Sequence, residues 1–281
     1  MLHERIDIKV KGSEEYAALY IYIQDRTEKL GIEKRPMIIV IPGGGYEYTS
    51  DREAEPMALT FAAMGYNTSV LRYSVAPAQF PVALKELANA VKTIRENAEK
   101  WNIDGDRIIV CGASAGGHLA ASLACFWNRD FLSDIGPAEM IKPNGVLLNY
   151  PVITVGDFTH AGSAKNIIGN LTDAKEFGGD DIKEFLSLEN QVSADNPPTF
   201  IWATFEDGSV PVENTLMFAN ALRKCGISME LHIFPHGGHG LGLANVVTNG
   251  PSGKEEQPEV AQWLGLAKAW LWTNFPLAVM Y

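Results

Sequence analysis

One serine of the chain stands where a tight turn would expose its hydroxyl group. The segment Gly112-Ala113-Ser114-Ala115-Gly116 follows the β-branched run 108–110, with only Cys111 between them, and precedes small and apolar residues at helical spacing. A strand that turns sharply into a helix is the context in which a serine acts as a nucleophile. Glycine is required at 112 and 116, because a Cβ there would collide with the helix and the neighbouring strand. The pattern predicts Ser114 as a nucleophile.

A serine hydroxyl needs a base and a group that orients the base, and later parts of the chain supply candidates for both. Glu206 and Asp207 follow a predicted buried strand, and His236 and His239 follow the last one. Asp207 is the preferred acid, because turn residues come directly after it. His239 is the preferred base, because glycines flank it, whereas His236 fits a position either behind the catalytic groups or at the rim of the site. The order serine, acid, histidine along the chain fits nucleophilic acyl transfer.

Three consecutive glycines, 43–45, follow the apolar strand 36–42. Glycines are costly in conformational entropy, so unusual dihedral angles or a close backbone approach explains them. A flexible turn or a phosphate loop is the alternative, but neither Gly-Lys-Ser/Thr nor GxGxxG follows. We therefore expect this loop to supply one donor to a developing oxyanion, together with the N–H of Ala115 at the start of the next helix.

The other histidines are not expected to act in catalysis: no motif surrounds His3, His160 or His232. His118 lies one helical turn after Ser114 and fits a helix residue that hydrogen-bonds to a nearby loop. No group of histidines, cysteines or acids has the spacing of metal ligands, so no metal and no other cofactor is expected.

Strands and helices alternate through most of the chain, which predicts an α/β protein with a mostly parallel, doubly wound sheet in a single domain, 1–281. The two earliest strands are expected to pair in antiparallel fashion. Ser50 and Glu53 have the spacing of a capping box, and 104–107 is expected to be a polar turn. Strands are predicted over 6–10, 16–23, 36–42, 67–75, 108–111, 145–151, 197–205 and 228–234, and helices over 50–64, 83–101, 212–224 and 257–275.

The segment 155–196 differs from the rest of the chain. It is rich in Gly, Asp and Lys and weakly periodic, with a short helical piece at 182–188. A connection of this length in a compact domain is uncommon without a function of its own. We expect a cap insertion that faces the substrate.

Composition excludes several classes of partner. The 281 residues carry a formal net charge of −11, which disfavours binding to nucleic acid or to an anionic membrane surface. The charged N-terminus lacks the apolar run of a signal peptide, so a cytoplasmic location is expected. The sequence leaves open whether the protein forms a homo-oligomer. Apolar surface on the late helix could pair two subunits, but Trp263 and Trp270 are more typical of a core.

The motifs together resemble those of the α/β-hydrolase serine esterases known as acetyl esterases or acetylxylan esterases, which are related to the hormone-sensitive-lipase group. The shared motifs are Pro42-Gly43-Gly44-Gly45-Tyr46, Gly112–Ala121, Asn149-Tyr150-Pro151, Asp207–Pro211 and Gly238-His239-Gly240. The resemblance implies an α/β-hydrolase fold and an esterase that removes acetyl groups from xylan fragments or other acetylated oligosaccharides. It also implies that Gly44, Gly45 and Ala115 form the oxyanion hole. Pro42 replaces a histidine of the lipase relatives, so lipase-like specificity does not follow.

Two other kinds of protein would have the same sequence features. One is an amide hydrolase of the arylformamidase kind, which would act on N-formylkynurenine. The other is a binding protein that keeps the fold but has lost its chemistry. The complete Ser-His-Asp set speaks against the second.

Overall fold

A computed structural model of the protein describes residues 1–26, 28–251 and 253–279. In this part of the chain, nine strands form one sheet. The strands are β1 (Leu2–Asp7), β2 (Ala18–Ile23), β3 (Ile32–Ile41), β4 (Asn67–Arg72), β5 (Ile103–Ala113), β6 (Gly145–Asn149), β7 (Thr199–Thr204), β8 (Met229–Phe234) and β9 (Ala278–Val279).

The sheet has the order β1-β2-β4-β3-β5-β6-β7-β8, with β9 paired to the start of β3. The pairs β1/β2 and β2/β4 are antiparallel. All pairs from β4 to β8 are parallel. The expected antiparallel start and mostly parallel sheet are confirmed. Because parallel strands end at the same edge, the loops after β3, β5, β6, β7 and β8 lie together there.

Helices cover both faces of this sheet, as a doubly wound sheet requires. The helices of the described residues are α1 (Glu55–Ala63), α2 (Val82–Glu96), α3 (Ala115–Phe126), α4 (Ala138–Ile141), α5 (Ala161–Ile168), α6 (Ile182–Leu186), α7 (Glu213–Lys224) and α8 (Trp263–Asn274). Met37, Ile39 and Ile41 of β3 pack toward α2, α3 and α7, whereas the alternating Ile38 and Val40 pack toward α1 and α8.

Several expected element boundaries are wrong. The residues 104–107 lie within β5 and not in a separate turn. Arg35 of β3 pairs with Ile103 and Met37 pairs with Ile108, so the register shifts between these pairs and the polar residues form an irregularity inside the strand. The last helix begins at Trp263 after a short 3-10 turn at 260–262. Trp263 and Trp270 are buried, as expected of core residues.

The expected capping box at Ser50 is also wrong. Helix α1 begins later, with Ala54 at its N-cap and without a side-chain cap. Glu53 is only 3% exposed and accepts a hydrogen bond from the Gly43 backbone instead. The chain at 50–54 is thus held by the glycine loop and not by the helix that follows.

The segment between β6 and β7 holds α5, α6 and two 3-10 turns. Phe177 and Phe185 of this segment pack against Phe80, Phe126 and Phe131 of the main body. Aromatic pairs of this kind are worth about 0.5–1.5 kcal/mol each beyond the burial of their surface. The weakly periodic segment is therefore anchored by a few large side chains and not by one amphipathic helix.

Candidate active site

Ser114 lies at the sharp turn between β5 and α3. Its backbone has φ 54° and ψ −121°, which is strained for a residue other than glycine. A Cβ at Gly112 would collide with the Gly116 carbonyl oxygen, and a Cβ at Gly116 would collide with the Ile41 carbonyl oxygen. The glycines therefore allow the strand, the turn and the helix to approach closely enough to hold Ser114 in this conformation.

The structure brings Ser114, His239 and Asp207 into one chain of hydrogen bonds. Ser114 Oγ lies 2.7 Å from His239 Nε2. His239 Nδ1 lies 2.6 Å from Asp207 Oδ2. A carboxylate only accepts, so Nδ1 carries the ring proton and Nε2 is left free to accept from the serine hydroxyl. The set can therefore move the Ser114 proton to His239.

The Asp207 carboxylate is fixed by its own loop. Its side chain is only 1% exposed. Its Oδ1 atom accepts hydrogen bonds from the backbone N–H groups of Ser209 and Val210, both at 2.9 Å. These bonds leave Oδ2 facing His239, so the loop sets both the position and the free lone pairs of the acid.

The alternative acid and the alternative histidine pair with each other outside this chain. His236 Nδ1 lies 3.0 Å from Glu206 Oε1, and both side chains are exposed. The hydrogen bond to His236 lowers the pKa of Glu206. The prediction that His236 is a rim residue agrees with this position.

The glycine loop places backbone donors beside Ser114. Gly44 and Gly45 have φ values of +123° and +65°, and a Cβ at Gly44 would collide with the Tyr48 carbonyl oxygen. The N–H of Gly43 is occupied, since it donates to Glu53 Oε2 at 2.9 Å. Among the hydrogen bonds of the described residues, none is donated by the backbone N–H of Gly44, Gly45 or Ala115. These three groups remain available to an oxyanion.

A buried carboxylate joins the loops on both sides of the site. Glu53 Oε1 accepts from the Tyr150 hydroxyl at 2.7 Å, and that hydroxyl accepts from the Gly242 N–H at 2.8 Å. Burial, followed by the charge of Glu53, raises the pKa of Tyr150 well above its ordinary value, so the phenol stays protonated. The Tyr150 ring also packs edge-on against His239 with centroids 5.1 Å apart. Glu53 thereby connects the glycine loop to the loop that carries His239.

Glu53 is a positioning residue that the sequence patterns missed, and its loss is testable. We expect Glu53→Gln to lower kcat about 10- to 100-fold with little change in KM. An amide has only one oxygen, so either the Gly43 N–H or the Tyr150 hydroxyl loses its acceptor, and a buried polar group without a partner costs about 1–3 kcal/mol. Steady-state kinetics on p-nitrophenyl acetate measure the effect. Glu55→Gln, two residues further on, is the matched control; an equal loss there, or a change confined to KM, would contradict the positioning role.

His118 has the structural role expected for it. Its Nε2 donates to the Leu186 carbonyl oxygen at 2.9 Å, so its Nδ1 accepts from the Tyr46 hydroxyl at 3.1 Å. Burial lowers the pKa of His118 to about 4, which keeps the ring neutral. The residue connects α3 to the segment between β6 and β7 and does not touch Ser114 Oγ.

A polar cavity of about 290 Å³ opens over Ser114. His160 on its wall is a further residue that the sequence analysis missed, since no motif surrounds it. The side chains and glycines that line the cavity belong to Gly44, Gly45, Glu47, Tyr48, Ser50, Arg52, Glu53, Ser114, His160, Ser209, His239 and Gly240. Most of these groups carry charge or hydrogen-bonding capacity, so the cavity suits a polar ligand better than an apolar one.

Two other kinds of site are missing from the described ranges. They contain no group of three or more His, Cys, Asp or Glu side chains placed to hold a metal ion. No described helix combines the length and the apolar character needed to cross a bilayer.

Comparison with known proteins identifies relatives that match most of the chain. The chain is 38% identical to the acetyl ester-xyloside bifunctional hydrolase of Caldicellulosiruptor lactoaceticus, with a TM-score of 0.79 over 93% of this chain and 89% of that one. It is 43% identical over 220 residues to endo-1,4-beta-xylanase B of Butyrivibrio fibrisolvens. It is 29% identical over 212 residues to an acetylxylan esterase of Xylanibacter ruminicola.

The last two relatives are longer proteins. The matches cover 75% and 73% of this chain, but only 33% of the xylanase and 41% of the acetylxylan esterase. The family model BD-FAE matches residues 19–222, which is most of the sheet together with the glycine loop and the Ser114 turn. The match of this model, the solved relative of the same fold and the doubly wound sheet agree: the chain is an α/β hydrolase of the BD-FAE family.

Proposed function

We propose that the protein is a serine esterase that removes short acyl groups, above all acetyl, from acetylated xylan fragments or similar carbohydrates. The observation that carries the proposal is the hydrogen-bonded chain from Ser114 through His239 to Asp207, which faces a polar cavity. The xylan-directed names of the similar proteins support the choice of substrate.

The proposed reaction has two steps of acyl transfer. Ser114 Oγ attacks the ester carbonyl carbon while its proton passes to His239 Nε2, and Asp207 stabilises the imidazolium. The N–H groups of Gly44, Gly45 and Ala115 would stabilise the tetrahedral oxyanion. The C–O bond to the alcohol then breaks as His239 protonates the departing oxygen.

Hydrolysis of the acyl-enzyme repeats the same steps with water. His239 takes a proton from the water, and the resulting hydroxide attacks the acyl carbon. Collapse of the second tetrahedral intermediate breaks the bond to Ser114 Oγ, which takes the proton back from His239, and releases acetic acid, which ionises to acetate in solution. The serine and the histidine recover their initial protonation states, so the reaction consumes only the ester and water.

We also propose that 155–196 acts as a substrate-facing cap within the domain. Two contacts support this role. Asn166 Nδ2 of α5 donates to the Gly45 carbonyl oxygen at 2.9 Å. His160, at the N-terminus of the same helix, lines the cavity beside Ser114.

The acyl preference provides the direct test of the proposed function. We expect acetate release from acetylated xylo-oligosaccharides, and hydrolysis of p-nitrophenyl esters that falls sharply from acetate to octanoate. A methylene group gains about 0.8 kcal/mol only when it is buried against apolar atoms, and the walls of this cavity are largely polar. Initial rates on both substrate classes measure the result. Faster turnover of N-formylkynurenine than of any acetylated sugar would overturn the proposal in favour of an arylformamidase.

A further inference from the structure

His160 caps helix α5 through one nitrogen of its ring. Its Nδ1 accepts a hydrogen bond from the Ser163 backbone N–H at 3.1 Å and lies 2.9 Å from Ser163 Oγ. A backbone N–H can only donate, so Nδ1 is unprotonated in the capped helix. The neutral ring must therefore carry its proton on Nε2.

The second nitrogen of the ring has no partner among the residues that the structure describes. The hydrogen bonds and ion pairs of the described residues include none at His160 Nε2. The ring lines the same cavity as Ser114 and His239. Burial lowers the pKa of His160, which favours the neutral donor form. The ring thus offers one N–H group to whatever occupies the cavity.

The position of this donor is fixed relative to the glycine loop. The His160 Cε1 atom, which neighbours Nε2, lies 3.7 Å from the position that a Cβ on Gly45 would take. The Asn166 side chain of the same helix donates to the Gly45 carbonyl oxygen. Helix α5 and the glycine loop therefore place the imidazole beside the reacting centre.

We propose that His160 is a specificity-determining residue that donates its Nε2 proton to a free hydroxyl group on the alcohol part of the ester. This inference rests on the proposed function. The oxyanion already has the unoccupied N–H groups of Gly44, Gly45 and Ala115, so it does not need the imidazole. A polyol such as a partly acetylated sugar carries free hydroxyl oxygens near the ester, and an N–H donor without a protein partner selects for them.

The variant His160→Asn separates the donor from the helix cap. The asparagine Oδ1 takes the place of Nδ1 and caps a helix well, but no group replaces the Nε2 proton. The substrate pair is a mono-O-acetylated methyl xyloside, which has free hydroxyl groups, and p-nitrophenyl acetate, which has none. We expect kcat/KM on the xyloside to fall about tenfold, the value of one hydrogen bond of about 1.4 kcal/mol, with p-nitrophenyl acetate changed less than about twofold.

His236→Asn is the matched control, because His236 is an exposed histidine near the site that does not line the cavity. If His160→Asn lowers the melting temperature, His160→Ser provides a second capped variant without the ring. Equal losses of kcat/KM on both substrates would overturn the inference, since His160 would then act on the ester centre or on folding. An unchanged kcat/KM on both substrates would overturn it as well. A wild-type protein that cleaves neither substrate would refute the proposed function itself, a result distinct from either of these.

Discussion

Replacing Ser114 by alanine is expected to abolish esterase activity while the protein remains folded. Without Oγ no acyl-enzyme can form, and the loss of a serine nucleophile of this kind lowers kcat about 10⁴- to 10⁶-fold. The substitution removes only an oxygen atom from a strained turn, so the free energy of unfolding should change little. The measurements are the burst and the steady-state rate with p-nitrophenyl acetate, together with labelling by a fluorophosphonate.

Ser122→Ala is the matched control for this variant. Ser122 is also a buried serine of α3, and its Oγ donates to the His118 carbonyl oxygen within the helix. It should keep both the burst and the label. A Ser114→Ala protein that still shows a burst would remove Ser114 from the mechanism. A wild-type protein that takes no label would favour a binding protein that has kept only the fold.

The second large effect is expected at Asp207. Asp207→Asn should lower kcat about 10³- to 10⁴-fold with a small change in KM, because an amide no longer requires the proton to lie on His239 Nδ1. The ring can then present a protonated Nε2 to Ser114, and a protonated nitrogen cannot accept the serine proton. Steady-state kinetics and single-turnover rates with p-nitrophenyl acetate measure the loss.

Glu206→Gln distinguishes the two acids that follow β7. Its partner is the exposed His236 and not His239, so its activity should stay within about twofold of the wild type, as for a typical surface substitution. If the two variants lost activity equally, the loop as a whole and not the Asp207 carboxylate would be responsible. If only Glu206→Gln lost activity, the assignment of the acid would be wrong.

Local sequence patterns predicted most of the fold and the central residues of the candidate site. The elbow around Ser114 is visible because its glycines and its strand-to-helix change are features of about ten neighbouring residues. Asp207 and His239 could be singled out because each follows a strand of the parallel sheet, and parallel strands end at one edge of the sheet. The turn residues after Asp207 favoured it over Glu206, and the glycines around His239 favoured it over His236. A hydrogen bond joins the two preferred residues in the structure.

The sequence patterns failed where a partner lies far away in the chain. Glu53 has the local spacing of a capping residue, but it bonds to Gly43 and to Tyr150, which is 97 positions away. The start of β3 was missed because its pairing partner, β9, is near the other end of the chain.

By itself, then, the sequence determined that this protein is an α/β hydrolase with Ser114, Asp207 and His239 as its candidate nucleophile, acid and base. Only the tertiary structure decided that Glu53 joins two loops and that His160, from a weakly periodic segment, offers a proton to the cavity. Periodicity and turn chemistry act between neighbours and can be recognised in a short window. The partner of a buried carboxylate or a ring nitrogen is instead set by the packing of segments that are distant in sequence.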